Sequence, residues 1–180
     1  MTALMRADDA PQLERPLALL EKTPQLLKTL LADMQEDTLT WKPAADRWSI
    51  GEILAHLAGL ELAYGQRVQR IVTEDSPALE AYDQNAAAAE GRYSQPDPEE
   101  SLAAFTERRE GTLAFLSMLP PGAATRTGRH SEIASFTLSE MLHELASHDL
   151  GHLRQIAELY RAREFHPHAG PFQKYSHPRP

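Results

Sequence analysis

The clearest pattern of hydrophobic and polar residues lies near the C-terminus, between Thr137 and Tyr160. Apolar residues recur there three or four positions apart, as on one face of an α-helix: Leu138, Met141, Leu142, Leu145, Ile156 and Leu159. His148 and His152 fall on the same face, where further apolar residues would be expected. Two histidines four residues apart on a helix point the same way, so both imidazoles can reach one ion.

Three further segments have the same helical period. The first runs from about Pro11 to Asp37, and because Pro16 and Pro24 each remove a backbone donor, we expect a start near Pro16 or a kink near Pro24. The second runs from Ile50 to about Thr73, and the third from about Pro98 to Leu119. His56 falls on the apolar face of the second segment.

Capping signals mark the start of three of these helices. Ser49-Ile50-Gly51-Glu52 and Thr137-Leu138-Ser139-Glu140 are capping boxes, in which the hydroxyl and the carboxylate satisfy backbone N–H groups at a helix start. Asp97 is a candidate N-cap before Pro98, a residue that suits the first helical position.

The four helices predict an all-α protein, a four-helix bundle with no sheet. The long connection over residues 74–98 indicates a crossover, although an up-down-up-down order is equally compatible with the pattern; its middle could hold a short helix. The segment 122–136 is predicted to be irregular. Residues 1–180 fit one domain, with 1–10 as a loose leader and 164–180 as a Pro-rich C-terminal tail.

Composition narrows the possible functions. The formal net charge is −8 and no Lys/Arg-rich run occurs, which disfavours a nucleic-acid partner. No apolar run approaches the roughly 20 residues that span a bilayer, and the acidic N-terminus lacks a signal-peptide core, so we expect no membrane association and a cytoplasmic location. Because the chain has no cysteine, any bound metal must be held by His, Asp or Glu.

His56, His148 and His152 form the candidate metal site. Three histidines with one position left open are typical of a catalytic metal site, whereas a structural site is normally closed by four protein ligands. Imidazole does not distinguish zinc, nickel, iron and copper. The alternative is that these histidines are ordinary hydrogen-bonded core residues, since an HxxxH pair alone is a weak signal.

The other titratable residues are weaker candidates. His143 is expected to face solvent or a neighbouring helix, and the remaining histidines lie in a loop or in the tail: His130, His166, His168 and His177. Asp149 and Glu144 are either hydrogen-bond partners of a ligating imidazole or residues of a solvated helix face, and Glu61 lies off the ligand face. No residue is assigned as a general acid or base.

Two motifs together resemble the DinB-like family. The segment 48–57, WSIGEILAHL, is similar to the opening of the second helix of these proteins, and the run HDLGHLRQI at 148–156 is similar to their last helix. The resemblance implies a metal-binding four-helix bundle over nearly the whole chain. It also implies a metal triad with one histidine from the second helix and two from the last, which correspond to His56, His148 and His152.

The resemblance further implies a metal-dependent enzyme. Characterised members use a low-molecular-weight thiol such as bacillithiol or mycothiol, so the leading expectation is a thiol S-transferase acting on a small-molecule electrophile, with a divalent metal ion and a thiol as cofactors. No residue matches a known thiol-binding pattern. The alternatives are a metal-dependent hydrolase that activates water and a non-catalytic, stress-linked metal-binding protein. A homodimer is also compatible with this family.

Overall fold

The computed structural model describes residues 10–82, 93 and 97–180. Over that part of the chain it contains six α-helices: α1 (Ala10–Leu20), α2 (Thr23–Leu31), α3 (Glu36–Thr40), α4 (Ile50–Thr73), α5 (Pro98–Leu116) and α6 (Leu138–Tyr160). In the described part, no helix is both long and apolar enough to cross a membrane. The predicted loose leader, except Ala10, and most of the predicted short helix within 74–98 fall outside the described residues.

The prediction of no sheet is wrong. Three short strands form a small mixed sheet in the order β1-β2-β3, with β1 parallel to β2 and β2 antiparallel to β3: β1 (Ala78–Leu79), β2 (Thr127–His130) and β3 (Ala134–Thr137). Strands of two and four residues are too short to show the alternation by which a sequence reveals a strand. A Cβ at Gly128 would lie 2.7 Å from Leu79 Cδ1, so a larger residue on β2 would require the buried Leu79 side chain to move.

The first predicted helix is interrupted between α1 and α2, at Glu21 and Lys22. Pro24 lies in the first turn of α2, where its missing N–H leaves no hydrogen bond unmade. Pro16 lies inside α1 and does not start it. Of the two predictions for this segment, the one observed is therefore the break near Pro24.

The predicted caps are present at all three helix starts. Ser49 Oγ accepts a hydrogen bond from the Glu52 N–H at 3.2 Å, and Glu52 Oε2 accepts one from the Ser49 N–H at 2.7 Å. Thr137 and Glu140 form the same reciprocal pair at the start of α6. Asp97 Oδ1 caps α5 by accepting from the N–H groups of the second and third helical residues. Local sequence alone therefore sets where these helices begin.

The apolar core has two parts. The sheet-end cluster includes Leu13, Leu20, Leu60, Ile71, Leu116, Leu138 and Leu145. The histidine-end cluster includes Leu27, Met34, Ile53, Leu57, Phe105, Ile156 and Leu159.

These clusters also give the helix directions. α4 and α5 each begin in the histidine-end cluster and end in the sheet-end cluster, whereas α6 runs the opposite way. α1 packs in the sheet-end cluster and α2, which follows it, packs in the histidine-end cluster. Since α4 and α5 run in the same direction, the connection between them is a crossover, one of the two topologies that the sequence allowed.

Candidate metal centre

The three predicted histidines meet at the histidine end of the bundle. His56 lies in the second turn of α4, and His148 and His152 lie in the middle of α6, which runs antiparallel to α4. His148 Nε2 is 3.2 Å from His56 Nε2 and 3.1 Å from His152 Nε2. One ring nitrogen from each histidine lies within 4.8 Å of the other two. The fold thus aims all three side chains at one point.

The spacing of these nitrogens suits a metal ion better than hydrogen bonding. Metal–nitrogen bonds of about 2.0–2.1 Å in a tetrahedral arrangement would place neighbouring nitrogens about 3.3 Å apart, close to the observed distances. A ring nitrogen carries either one proton or one in-plane lone pair, so His148 Nε2 cannot form a well-aligned hydrogen bond to both neighbours. A cation would satisfy all three lone pairs at once. The residues present therefore fit a divalent metal.

Burial keeps these imidazoles neutral at physiological pH. It lowers the pKa of His56 to about 3, with a further lowering by the charges of His152 and His148. Burial, followed by the neighbouring His152, lowers the pKa of His148 to about 4. The pKa of His152 is also lowered, mainly by burial, although its hydrogen bond to Gln155 acts in the opposite direction. Neutral imidazoles have the lone pairs that a metal ligand needs.

Aromatic side chains surround the histidines. The Trp48 ring lies 4.9 Å from the His56 ring and 6.4 Å from the His152 ring, measured between centroids. Tyr93 packs edge-on against His56 at 5.7 Å, and its hydroxyl lies 2.6 Å from that of Tyr82. These rings give the site a largely apolar wall. That wall explains the burial that lowers the imidazole pKa values.

The three histidines differ in whether Nδ1, the ring nitrogen that faces away from the candidate metal position, has a hydrogen-bond partner. His152 Nδ1 lies 3.0 Å from Gln155 Oε1, an acceptor that fixes the proton on Nδ1 and leaves Nε2 free for a metal. Nδ1 of His56 and Nδ1 of His148 are buried and have no hydrogen-bond partner among the described residues. Asp149, a predicted partner of a ligating imidazole, instead binds Arg109.

Sequence analysis missed a buried ion network beside the histidines. Arg109 on α5 forms salt bridges to Glu61 of α4 at 2.8 Å and to Asp149 of α6 at 2.7 Å, and all three side chains are buried. We call these three residues the Arg109 network. Glu61 does lie off the ligand face, but it is buried rather than solvated. The sequence signal was that Asp149 directly follows His148 and that Glu61 comes five residues after His56.

The remaining histidines stay apart from this site. His143 is exposed, and its Nδ1 lies 2.9 Å from the Ser139 carbonyl oxygen of its own helix. His130 belongs to β2 and packs near Phe136. The tail, with its three histidines, begins beside α3, where Glu164 accepts a hydrogen bond from the Thr38 hydroxyl. In the part of the chain described here, only His56, His148 and His152 group as candidate metal ligands.

Two curated proteins are similar to this chain over most of its length. A curated relative from Oceanobacillus iheyensis, "Putative metal-dependent hydrolase OB0782", is 25% identical over 146 residues, which cover 81% of this chain and 84% of the relative. A second, "Putative metal-dependent hydrolase YfiT" from Bacillus subtilis, is 26% identical over 151 residues, covering 83% and 85%.

The fold is also similar to a solved structure. YfiT from Bacillus subtilis, described as having an unusual four-helix bundle topology, superimposes with a TM-score of 0.76 at 25% identity, covering 89% of this chain and 90% of that one. The family described as the DinB superfamily matches residues 19–156, well over half of the sequence. The chain therefore belongs to the DinB superfamily.

Proposed function

We propose that this protein is a divalent-metal-dependent enzyme whose ion is held by Nε2 of His56, His148 and His152. The observation that carries the proposal is the convergence of three neutral imidazole nitrogens, two pairs of which lie 3.1–3.2 Å apart. The names of the two curated relatives, which include a metal dependence, support it. Three protein ligands leave a fourth position for a reacting molecule.

Within this class we propose an S-transferase that uses a low-molecular-weight thiol. A divalent ion, when bound, supplies positive charge that keeps a thiol or a water deprotonated near neutral pH. The thiolate sulfur would bond to an electrophilic carbon as the leaving group departs with its electron pair, and the thiol proton would pass to solvent. Glu61 and Asp149 are held by Arg109, so neither is available as a general base, and this reaction needs none.

The second candidate is hydrolysis by activated water. It would use the same three histidines and differ only in the molecule at the fourth position. The names of both curated relatives favour it, since each includes the word hydrolase. Its weakness is the pairing of both nearby carboxylates with Arg109, because many metal hydrolases use a carboxylate to accept the proton from water.

Metal content tests the site itself. We expect the purified protein to hold about one divalent ion per chain by elemental analysis, and His148→Ala to hold almost none, because His148 lies between the other two ligands. The matched control is His143→Ala, an exposed histidine of the same helix, which should bind as the unmodified chain does. Equal stoichiometric metal in the unmodified protein and in His148→Ala would exclude this site.

Activity assays separate the two reactions. The metal-loaded protein is incubated with a chlorodinitroarene and a panel of thiols, and in parallel with ester and amide substrates without thiol. Product that requires a thiol and disappears in His148→Ala supports S-transfer. Cleavage without thiol, lost in the same variant, supports the hydrolase instead. Absence of turnover in every assay would indicate a metal-binding protein without catalysis.

Three further expectations from the sequence remain proposals. They are a small-molecule substrate, a cytoplasmic location and a homodimer. Size-exclusion chromatography with light scattering measures the last directly.

A further inference from the structure

We propose that Arg109 is a positioning residue for the three-histidine site. By binding Glu61 and Asp149, its guanidinium sets the spacing between α4 and α6, and with it the distance from His56 to His148 and His152. The inference rests on the metal site proposed above and concerns how the protein keeps the three histidine ligands at the distances that a metal ion needs.

Arg109 joins four helices at one point. Its Nε donates to Glu61 Oε2 of α4 at 2.9 Å, and its two terminal nitrogens donate to Asp149 of α6 at 2.7 and 3.3 Å. One of those nitrogens also donates to the carbonyl oxygen of Leu20, the last residue of α1, at 3.2 Å. The Arg109 side chain, on α5, is fully buried.

The two carboxylates lie close to the ligands along the chain. Asp149 directly follows His148, and Glu61 is five residues after His56, a rise of about 7.5 Å along the helix. A shift of either carboxylate therefore moves a ligand-bearing segment of the same rigid helix. Arg109 thus connects the helix with one histidine to the helix with two, and its hydrogen bonds go to Glu61, Asp149 and Leu20 rather than to the histidines.

Apolar packing alone would hold this spacing less tightly. The Arg109 network lies between the sheet-end and histidine-end clusters, whose contacts are non-directional and tolerate small shifts of one helix against another. An arginine–carboxylate pair has a fixed planar geometry. A metal site requires ligand distances within about 0.2 Å of their ideal values. Directional contacts beside the ligands can keep the helices within that tolerance.

The free energy of burying charges also favours a positioning role over a purely stabilising one. A buried ion pair seldom contributes more net stability than apolar residues of the same volume, because desolvation offsets the attraction. Stability alone therefore gives little reason to place three charges here. Two carboxylates against one guanidinium also leave net negative charge near the histidines, which favours a divalent cation at that end of the bundle.

Cobalt(II) binding tests the proposal with conservative substitutions. Affinity is measured by chelator competition, and ligand geometry by the visible d–d absorption. Arg109→Lys keeps the charge but loses the planar fork, so we expect Co²⁺ to bind about tenfold more weakly or worse, with altered visible bands. If Arg109→Lys does not fold, Glu61→Gln removes one of the two bridged carboxylates while keeping its shape, and it is assessed in the same way.

Two controls on the same helix separate positioning from general destabilisation. Arg108→Lys makes the identical change at the neighbouring residue, which donates to the Ala58 carbonyl oxygen and binds no carboxylate of the network. Leu116→Ala opens a cavity in the sheet-end cluster and should lower the melting temperature. Both should bind Co²⁺ within twofold of the unmodified protein, with the same spectrum.

The outcomes distinguish this inference from the proposed function. If the unmodified protein binds Co²⁺ and Arg109→Lys binds it with the same affinity and spectrum, the positioning role is overturned while the metal site stands. Weakening by Leu116→Ala to the same extent as by Arg109→Lys also overturns it, because any loss of stability would then suffice. If the unmodified protein binds no Co²⁺, the proposed metal site and this inference both fail.

Discussion

Two groups of buried polar side chains lie in the same bundle, and they differ in how their hydrogen-bonding needs are met. In the Arg109 network the charges bind one another, and only Glu61 Oε1 lacks a partner among the described residues. In the histidine cluster, three Nε2 atoms crowd together, and Nδ1 of His56 and Nδ1 of His148 have no partner in that same set. The charges of the first group are therefore paired within the chain, whereas the Nε2 lone pairs of the second group are not all satisfied by one another.

The two groups differ in how they offset the cost of burying polar atoms. A polar group removed from water costs free energy unless it is hydrogen-bonded or paired. The Arg109 network meets this cost internally, so it should be part of the fold whether or not a ligand binds. In the proposed metal site a cation would satisfy the three Nε2 lone pairs, so without a cation the histidines should destabilise the fold. The two groups should therefore respond in opposite ways to substitution.

The largest expected effect comes from breaking the Arg109 network. Arg109→Met leaves two buried carboxylates without a partner, so we expect the metal-free protein to lose about 3–5 kcal/mol of unfolding free energy. Urea denaturation at neutral pH measures it. The matched control replaces all three charges, as Glu61→Leu, Arg109→Met and Asp149→Leu, and should be far closer to the unmodified protein. A triple variant as unstable as Arg109→Met would show that the network itself stabilises the fold.

The second effect is a pH dependence that comes from the histidines. Their pKa values, about 3 for His56 and about 4 for His148, lie below the ordinary 6.5, so the folded state binds fewer protons than the unfolded state. The free energy of unfolding that depends on keeping these two histidines neutral is therefore fully present above pH 6.5 in the metal-free protein. It is lost as the pH falls towards 4. Each such histidine contributes a slope of about 1.4 kcal/mol per pH unit in that window.

Substitution of one histidine should remove its share of that slope. His56→Leu, measured by urea denaturation with a chelator present, should lose stability less steeply between pH 6 and pH 4.5. At neutral pH it should be no less stable than the unmodified protein, in contrast to Arg109→Met. His143→Ala, the exposed control, should follow the unmodified curve. Parallel curves for His56→Leu and the unmodified protein would mean that His56 is not held neutral by burial.

The smallest effect tests the helix backbone between the ligands. A Cβ at Gly151, between His148 and His152, or at Gly111 on α5 would meet nothing within 4 Å. Alanine is the better helix former, so Gly151→Ala and Gly111→Ala should each stabilise the protein by about 0.5–1 kcal/mol in denaturation experiments. Metal content should remain unchanged in both. Loss of metal in Gly151→Ala alone would show that position 151 takes part in the site.

The sequence by itself determined the long helices, their starts and the three candidate ligands. Ser49, Asp97 and Thr137 cap helices through contacts within three residues along the chain, and such short-range signals can be read without a structure. The apolar stripes of α4 and α6 likewise fixed the faces on which the histidines lie. The sequence therefore predicted which three histidines would meet, and the family resemblance strengthened the expectation of a metal ion that the histidine spacing had raised.

Only the tertiary structure decided the helix directions, the small sheet and the Arg109 network. The strands are too short to have a periodic signal, and the crossover depends on which ends of the helices share a core. Arg109 lies among charged residues, in the run TERREG, where it has the pattern of a solvated helix face. Its partners are 48 and 40 residues away in sequence, so only packing of α4, α5 and α6 turns three apparently exposed charges into one buried contact beside the histidines.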